Sequence, residues 1–111
     1  RVGRVGGTTE SIAIGRICRE AGIDVWCGGM LETGIGRAHN VAIAGLPGFT
    51  LPGDTAPSAR YWARDVITPE VTMDRGLITV PHGPGSGYEV DAEALEAFTV
   101  ASTIYEMAAL G

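Results

Sequence analysis

The chain has 111 residues with eight basic side chains, all arginine, against thirteen acidic ones, for a formal net charge of -5. No basic run exceeds a single residue, which argues against a nucleic-acid partner, because that affinity depends on clustered cations neutralising phosphates. Hydrophobic residues at 45% and charged residues at 19% describe a packed interior rather than a disordered tail, and no apolar run approaches the roughly 18 residues of a membrane span.

From the N-terminus, Arg1-Val2-Gly3-Arg4-Val5-Gly6-Gly7 reads as a tight, glycine-rich turn leading into a helix. It fits neither G-x-G-x-x-G nor the P-loop spacing, so a nucleotide-phosphate cradle is disfavoured. Thr8 or Thr9 is the expected cap of that helix, Ile12, Ala13, Ile17, Cys18 and Ala21 its apolar side, and Gly22 its left-handed stop. Ile23 to Cys27 follows as a short strand with too little alternation for a half-wet sheet, as expected of a parallel sheet buried on both faces. A second helix is expected over about Ile35 to Leu46, ended by Pro47-Gly48, and Phe49 to Leu51 makes the next strand. Alternating helix and strand imply a parallel sheet with right-handed crossovers.

The pattern changes after Asp54. Val71 to Met73 and Leu77 to Val80 flank Asp74-Arg75-Gly76 as a predicted hairpin. His82 to Gly87 is a Gly/Pro loop, Asp91 is a predicted cap for a short helix through Leu95, Phe98 to Val100 is a predicted strand, and Ile104 to Leu110 has helical apolar spacing. Cys18 and Cys27 match no zinc spacing and read as small apolar fillers in a reducing compartment. With no signal-peptide h-region at the N-terminus, a cytoplasmic location without a membrane partner is expected.

The richest stretch is Val25-Trp26-Cys27-Gly28-Gly29-Met30-Leu31-Glu32-Thr33-Gly34, a strand running into a glycine turn ahead of a helix. Its N-H groups and the Thr33 hydroxyl are placed to face an anion, or Thr33 simply caps the helix. Phe49-Thr50-Leu51-Pro52-Gly53-Asp54 repeats the strand-into-turn pattern, with Asp54 read as a turn cap rather than a metal ligand. His39 and His82 are spaced for neither metal nor nucleophile and read as surface or capping residues.

These two blocks, with Arg4-Val5-Gly6-Gly7, resemble the o-succinylbenzoate synthase and N-acylamino acid racemase family of the enolase superfamily. The resemblance implies the C-terminal part of a (β/α)8 barrel, about strands 7 and 8 with their crossover helices, over residues 1–55. Residues 56–111 would be a hairpin-containing segment returning to a capping domain. A whole barrel takes about 250 residues, so the chain is expected to be a fragment of a longer enzyme. The chemistry implied is abstraction of a proton α to a carboxylate. Mg²⁺ or another divalent metal would be held by three carboxylates on earlier strands, and a homo-oligomer is expected at full length.

The resemblance also implies site residues. Gly28, Gly29, Met30, Leu31 and Thr33 would wall the pocket for the acyl part of a small carboxylate substrate, with Glu32 near the metal-side rim and Tyr61 against the substrate; Trp62 reads as core. Arg1 stands where the family pattern K-x-x-R-V-G-G has its acid/base lysine. A guanidinium stays charged at any working pH, so Arg1 can orient or polarise but is a poor base. A dipeptide epimerase or muconate cycloisomerase branch, or a non-enzymatic fragment that pairs through exposed strand edges, are the alternatives.

Overall fold

The computed structural model describes residues 1–107. A 3-10 turn at Val2–Arg4 leads into helix α1 (Thr8–Glu20); helix α2 spans Gly34–Ala44; a second 3-10 turn covers Ser58–Arg60. Strands β1 (Ile67–Thr68) and β2 (Glu89–Val90) precede helix α3 (Ala92–Phe98). Among the described residues no helix is long and apolar enough to cross a membrane.

The cap of helix α1 lies just before the two predicted threonines: Gly7 is the N-cap, and the Ser11 hydroxyl donates back to the Gly7 carbonyl at 2.8 Å. It stops where expected. Gly22, at φ 68°, donates to the Arg19 carbonyl at 3.2 Å, and the Ile23 N-H to that of Cys18 at 2.8 Å, the paired bonds of a Schellman end. Its docking face differs from the predicted one. Ser11 and Gly15 are buried while Ile12 and Ile17 are exposed. The reason is the approach of Phe49: a Cβ on Gly15 would lie 2.7 Å from the ring, and one on Gly48 would lie 2.5 Å from the Gly15 carbonyl oxygen. Small residues permit the contact, and the larger apolar side chains are left outside it.

Helix α2 organises the core. Ile43 packs with Val2 and Cys27, supported by Leu46 and Phe49, whereas Val41 packs with Ile67 and Val71, supported by Ile78 and Val80. Two positions along a helix turn the side chain through about 200°, so one helix divides two apolar clusters.

The predicted strands 23–27 and 49–51 run side by side in the same direction. The Val25 carbonyl accepts from the N-H of both Thr50 and Leu51, at 2.9 and 3.1 Å, and the Thr50 hydroxyl donates to Asp24 at 2.7 Å. Further along, Gly53 lies against the Cys27 carbonyl and Asp54 against Gly29. No regular ladder forms between them, because both bonds converge on one carbonyl. The sheet that does form is β1 with β2, antiparallel, Ile67 opposite Val90 and Thr68 opposite Glu89.

The predicted hairpin is reduced to its turn. Asp74 and Leu77 exchange both N-H to carbonyl bonds at 2.9 Å around Arg75 (φ 48°) and Gly76 (φ 83°), but the flanking segments do not pair further. Val71 instead turns inward, and its carbonyl and N-H are bonded to Ser58. Asp91 caps α3 as expected, accepting from Ala94 N-H at 3.0 Å. The helix runs on through Phe98, so the strand expected at Phe98 to Val100 is absent; the Thr99 hydroxyl closes the helix on the Leu95 carbonyl at 2.6 Å. Ile104 to Met107 carry no helix, and the rest of that predicted helix lies outside the described residues.

The chain is a slab of 46 × 45 × 24 Å with a radius of gyration of 16.1 Å. A compact domain of this length would have about 13 Å. Ile12, Ile17, Leu31 and Leu77 are correspondingly more than 40% exposed.

Candidate functional site

The rim between the paired segments and α2 is held by carboxylates from this chain. Asp54 Oδ1 accepts the Gly29 N-H at 2.8 Å, which ties the two strand ends together. Asp65, fully buried, accepts the Gly34 N-H at 2.7 Å through Oδ1. It therefore serves as the side-chain cap of α2, since Thr33 occupies the N-cap position without a side-chain bond. A carboxylate at a helix start meets N-H groups that the helix cannot satisfy and the positive end of its dipole. Two of the N-H groups that could have faced a substrate anion are thus taken internally. Gly34 is required for this fit, because a Cβ there would overlap the Ile67 side chain and stand 2.9 Å from Asp65 Oδ2.

The other Asp65 oxygen accepts from the Ser58 hydroxyl at 2.6 Å and from Arg37 Nη1 at 3.4 Å. Arg37 is 2% exposed and donates through Nη2 to the Glu32 carbonyl at 2.8 Å, with its guanidinium 5.5 Å from the centre of the Tyr61 ring. Trp62, expected in the core, is at the surface and donates from Nε1 to the same Glu32 carbonyl at 3.0 Å. Residues 58–65 and the glycine rim are therefore one polar network.

Glu32 reaches the other way with its carboxylate. Oε2 accepts from Asn40 Nδ2 at 2.8 Å, and Oε1 lies 3.9 Å from Arg1 Nη1. Asn40 is buried, and its Oδ1 accepts the Val2 N-H at 3.0 Å. Arg1 is thus fixed both through its neighbour's backbone and through an ion pair of the partly exposed kind, which contributes about 0–1 kcal/mol. Burial is the main cause that raises the Cys27 thiol above its ordinary range, with the Glu32 and Asp54 carboxylates adding to it, so this cysteine stays neutral.

Arg1, Glu32 and Tyr61 are linked in this way, whereas Gly29 is held separately by Asp54. Met30 and Leu31 stand outside the network, 58% and 67% exposed. A groove of about 360 Å³ runs beside it, lined by Thr33, Tyr61, Trp62, Asp65 and Phe98 among others. Gly28 packs against the Trp26 ring. Arg37, Asn40, Ser58 and Asp65 are functional neighbours that the sequence reading does not include. The signal for two of them is Arg37 and Asn40, polar residues three apart on a helix whose one other polar side chain is His39; nothing near Asp65 marks it.

The residues present do not fit a metal ion. Among the described residues no three His, Cys, Asp or Glu side chains gather as ligands. The acids of the site are engaged: Glu32 with Asn40 and Arg1, Asp54 with Gly29, Asp65 with Gly34, Ser58 and Arg37.

Residues 1–94 match the family model described as enolase C-terminal domain-like. The chain is 53% identical over 109 residues to a Geobacillus kaustophilus protein named o-succinylbenzoate synthase, covering 98% of this chain and 29% of that one. It is 50% identical over 99 residues to an Amycolatopsis protein named N-succinylamino acid racemase, covering 89% and 27%. Among solved structures, an enolase-superfamily member from Listeria innocua superposes with a TM-score of 0.85 at 41% identity, covering 90% and 27%. The chain spans less than a third of the length of these relatives.

Proposed function

The chain belongs to the enolase C-terminal domain-like family, and from that premise we propose that it forms the closing part of an enzyme that removes the proton α to a carboxylate, with o-succinylbenzoate formation as its reaction. The relatives' names support the chemistry, and the slab shape with its exposed isoleucines supports a role as part of a larger barrel. Residues 1–55 would supply its last two strands, ending at Cys27 and Leu51, and residues 56–111 the segment that leaves it. Active sites of such barrels lie at the C-terminal ends of the strands, so Arg1, Gly28 to Thr33 and Tyr61 would lie at the mouth. Any Mg²⁺ would be held by carboxylates outside residues 1–111.

The observation that carries the choice of reaction is Arg1 paired with Glu32 at 3.9 Å. Racemisation needs a group on each face of the α carbon, one to take the proton and one to return it. A guanidinium keeps its protons at working pH. Arg1 can hold a substrate carboxylate or stabilise charge that develops on it. It cannot return a proton to the second face. Dehydration needs one face only: a base outside this chain takes the α proton, the C-O bond to hydroxide breaks, water leaves and the ring becomes aromatic. Gly29, Met30 and Leu31 would wall the succinyl arm, with Thr33 and Tyr61 beyond it.

The test is to assay the full-length protein for both reactions. Aromatic product from a hydroxycyclohexadiene carboxylate, with no racemisation of N-succinylamino acids, supports the reading; efficient racemisation refutes it.

A further inference from the structure

The polar network contains a residue with no part in proton transfer, yet it touches both walls of the proposed pocket. Arg37 bonds the carbonyl of Glu32, at the end of the glycine rim, and lies over the Tyr61 ring from the opposite segment. Asp65 braces it from behind and caps the helix that carries it. Burying a guanidinium costs free energy unless every donor is matched. A plain hydrophobic contact between α2 and residues 58–65 would hold these elements together equally well, so the pair's distinctive contribution is geometric.

We propose that Arg37 is a specificity-determining positioning residue, which fixes the Met30 to Thr33 rim and the Tyr61 ring at one separation and so sets the length of acyl arm that the pocket accepts. This rests on the site reading above. The planar guanidinium bonds in two directions within one plane while presenting its face to an aromatic ring. A lysine cannot do all three. Placement errors of about 1 Å can cost on the order of a hundredfold in rate, so a change in this strut is felt by a substrate that spans both walls and much less by a short one.

The test compares Arg37→Lys, Tyr61→Leu and the double variant in the full-length protein, using N-succinyl and N-acetyl substrate analogues as competitive ligands and the succinyl-bearing substrate for turnover. Arg37→Lys is expected to raise KM and the N-succinyl inhibition constant about tenfold, with the N-acetyl constant within about twofold and kcat changed less than KM. The double variant should be no worse than the worse single one. Equal losses for both acyl lengths, a fall in kcat alone, or additive effects would overturn the proposal. Tyr61 is at the surface, so its variant keeps the comparison usable should Arg37→Lys fold poorly. If the wild-type protein turns over neither substrate class, the functional reading fails, and amide hydrogen exchange then decides the strut by itself. Faster exchange confined to residues 30–34 in Arg37→Lys supports it; unchanged or uniformly faster exchange refutes it.

Discussion

Asp65 accepts the Gly34 N-H at 2.7 Å, so a buried carboxylate from 31 positions downstream caps the helix behind the glycine rim. The same side chain takes the Ser58 hydroxyl at 2.6 Å and faces Arg37. One acid therefore joins the helix start, the rim and the segment carrying Tyr61, and its removal strikes all three.

Asp65→Ala is expected to destabilise the protein by about 3–5 kcal/mol, because it leaves the Arg37 guanidinium buried without its anion. Asp65→Asn keeps an oxygen for the Gly34 N-H and should cost clearly less. Urea unfolding of the two variants beside the wild type measures the difference; equal losses would mean that the charge is irrelevant.

Thr55 Oγ1 is the one buried side-chain polar atom without a hydrogen-bond partner among the described residues. A buried hydroxyl without a partner carries a desolvation cost of about 1–3 kcal/mol. Thr55→Val preserves the shape and removes that cost, so the melting temperature should stay level or rise. A clear fall would show that the hydroxyl has a partner in solution.

Asp91 caps α3, and its hydrogen bonds from Arg64 and from the Ala94 N-H hold its carboxyl below the ordinary aspartate range. A depressed folded-state value means that the cap's contribution is complete above the unfolded aspartate value and is lost as pH falls through the depressed one. The stability gap between wild type and Asp91→Asn should therefore be open near neutrality and narrow as the carboxyl protonates. Thermal melts across pH 2–7 check this; a gap independent of pH would contradict it.

Local signals are legible in this sequence and distant ones are not. Gly22 as the end of α1 and Gly76 in its turn follow from left-handed backbone conformations that few residues adopt cheaply, and Asp91 as the cap of α3 follows from a short side chain whose oxygen can accept a helix N-H. The docking face of α1 is hidden from the sequence because Ile12 and Ile17 outweigh Gly15 in any count of apolar positions, whereas the contact with Phe49 depends on a missing side chain. The stretch from Gly28 to Thr33 stood out by its composition. The buried pair that supports it does not stand out, since Asp65 and Arg37 are 28 positions apart and nothing beside Asp65 marks it as the partner of Arg37.

Arg1 stands 3.9 Å from Glu32, at the position where the resemblance implies an acid/base lysine, and single-face chemistry is the proposed consequence of that replacement. The direct measurement is NMR-detected α-proton exchange in deuterium oxide, with the full-length protein given each enantiomer of an N-succinylamino acid separately. One enantiomer should exchange with retention, and the other on the order of a hundredfold more slowly, the loss expected without a general acid or base on its face. Comparable exchange of both enantiomers, with inversion, would show that a second proton carrier is at work and that Arg1 does not limit the reaction to one face.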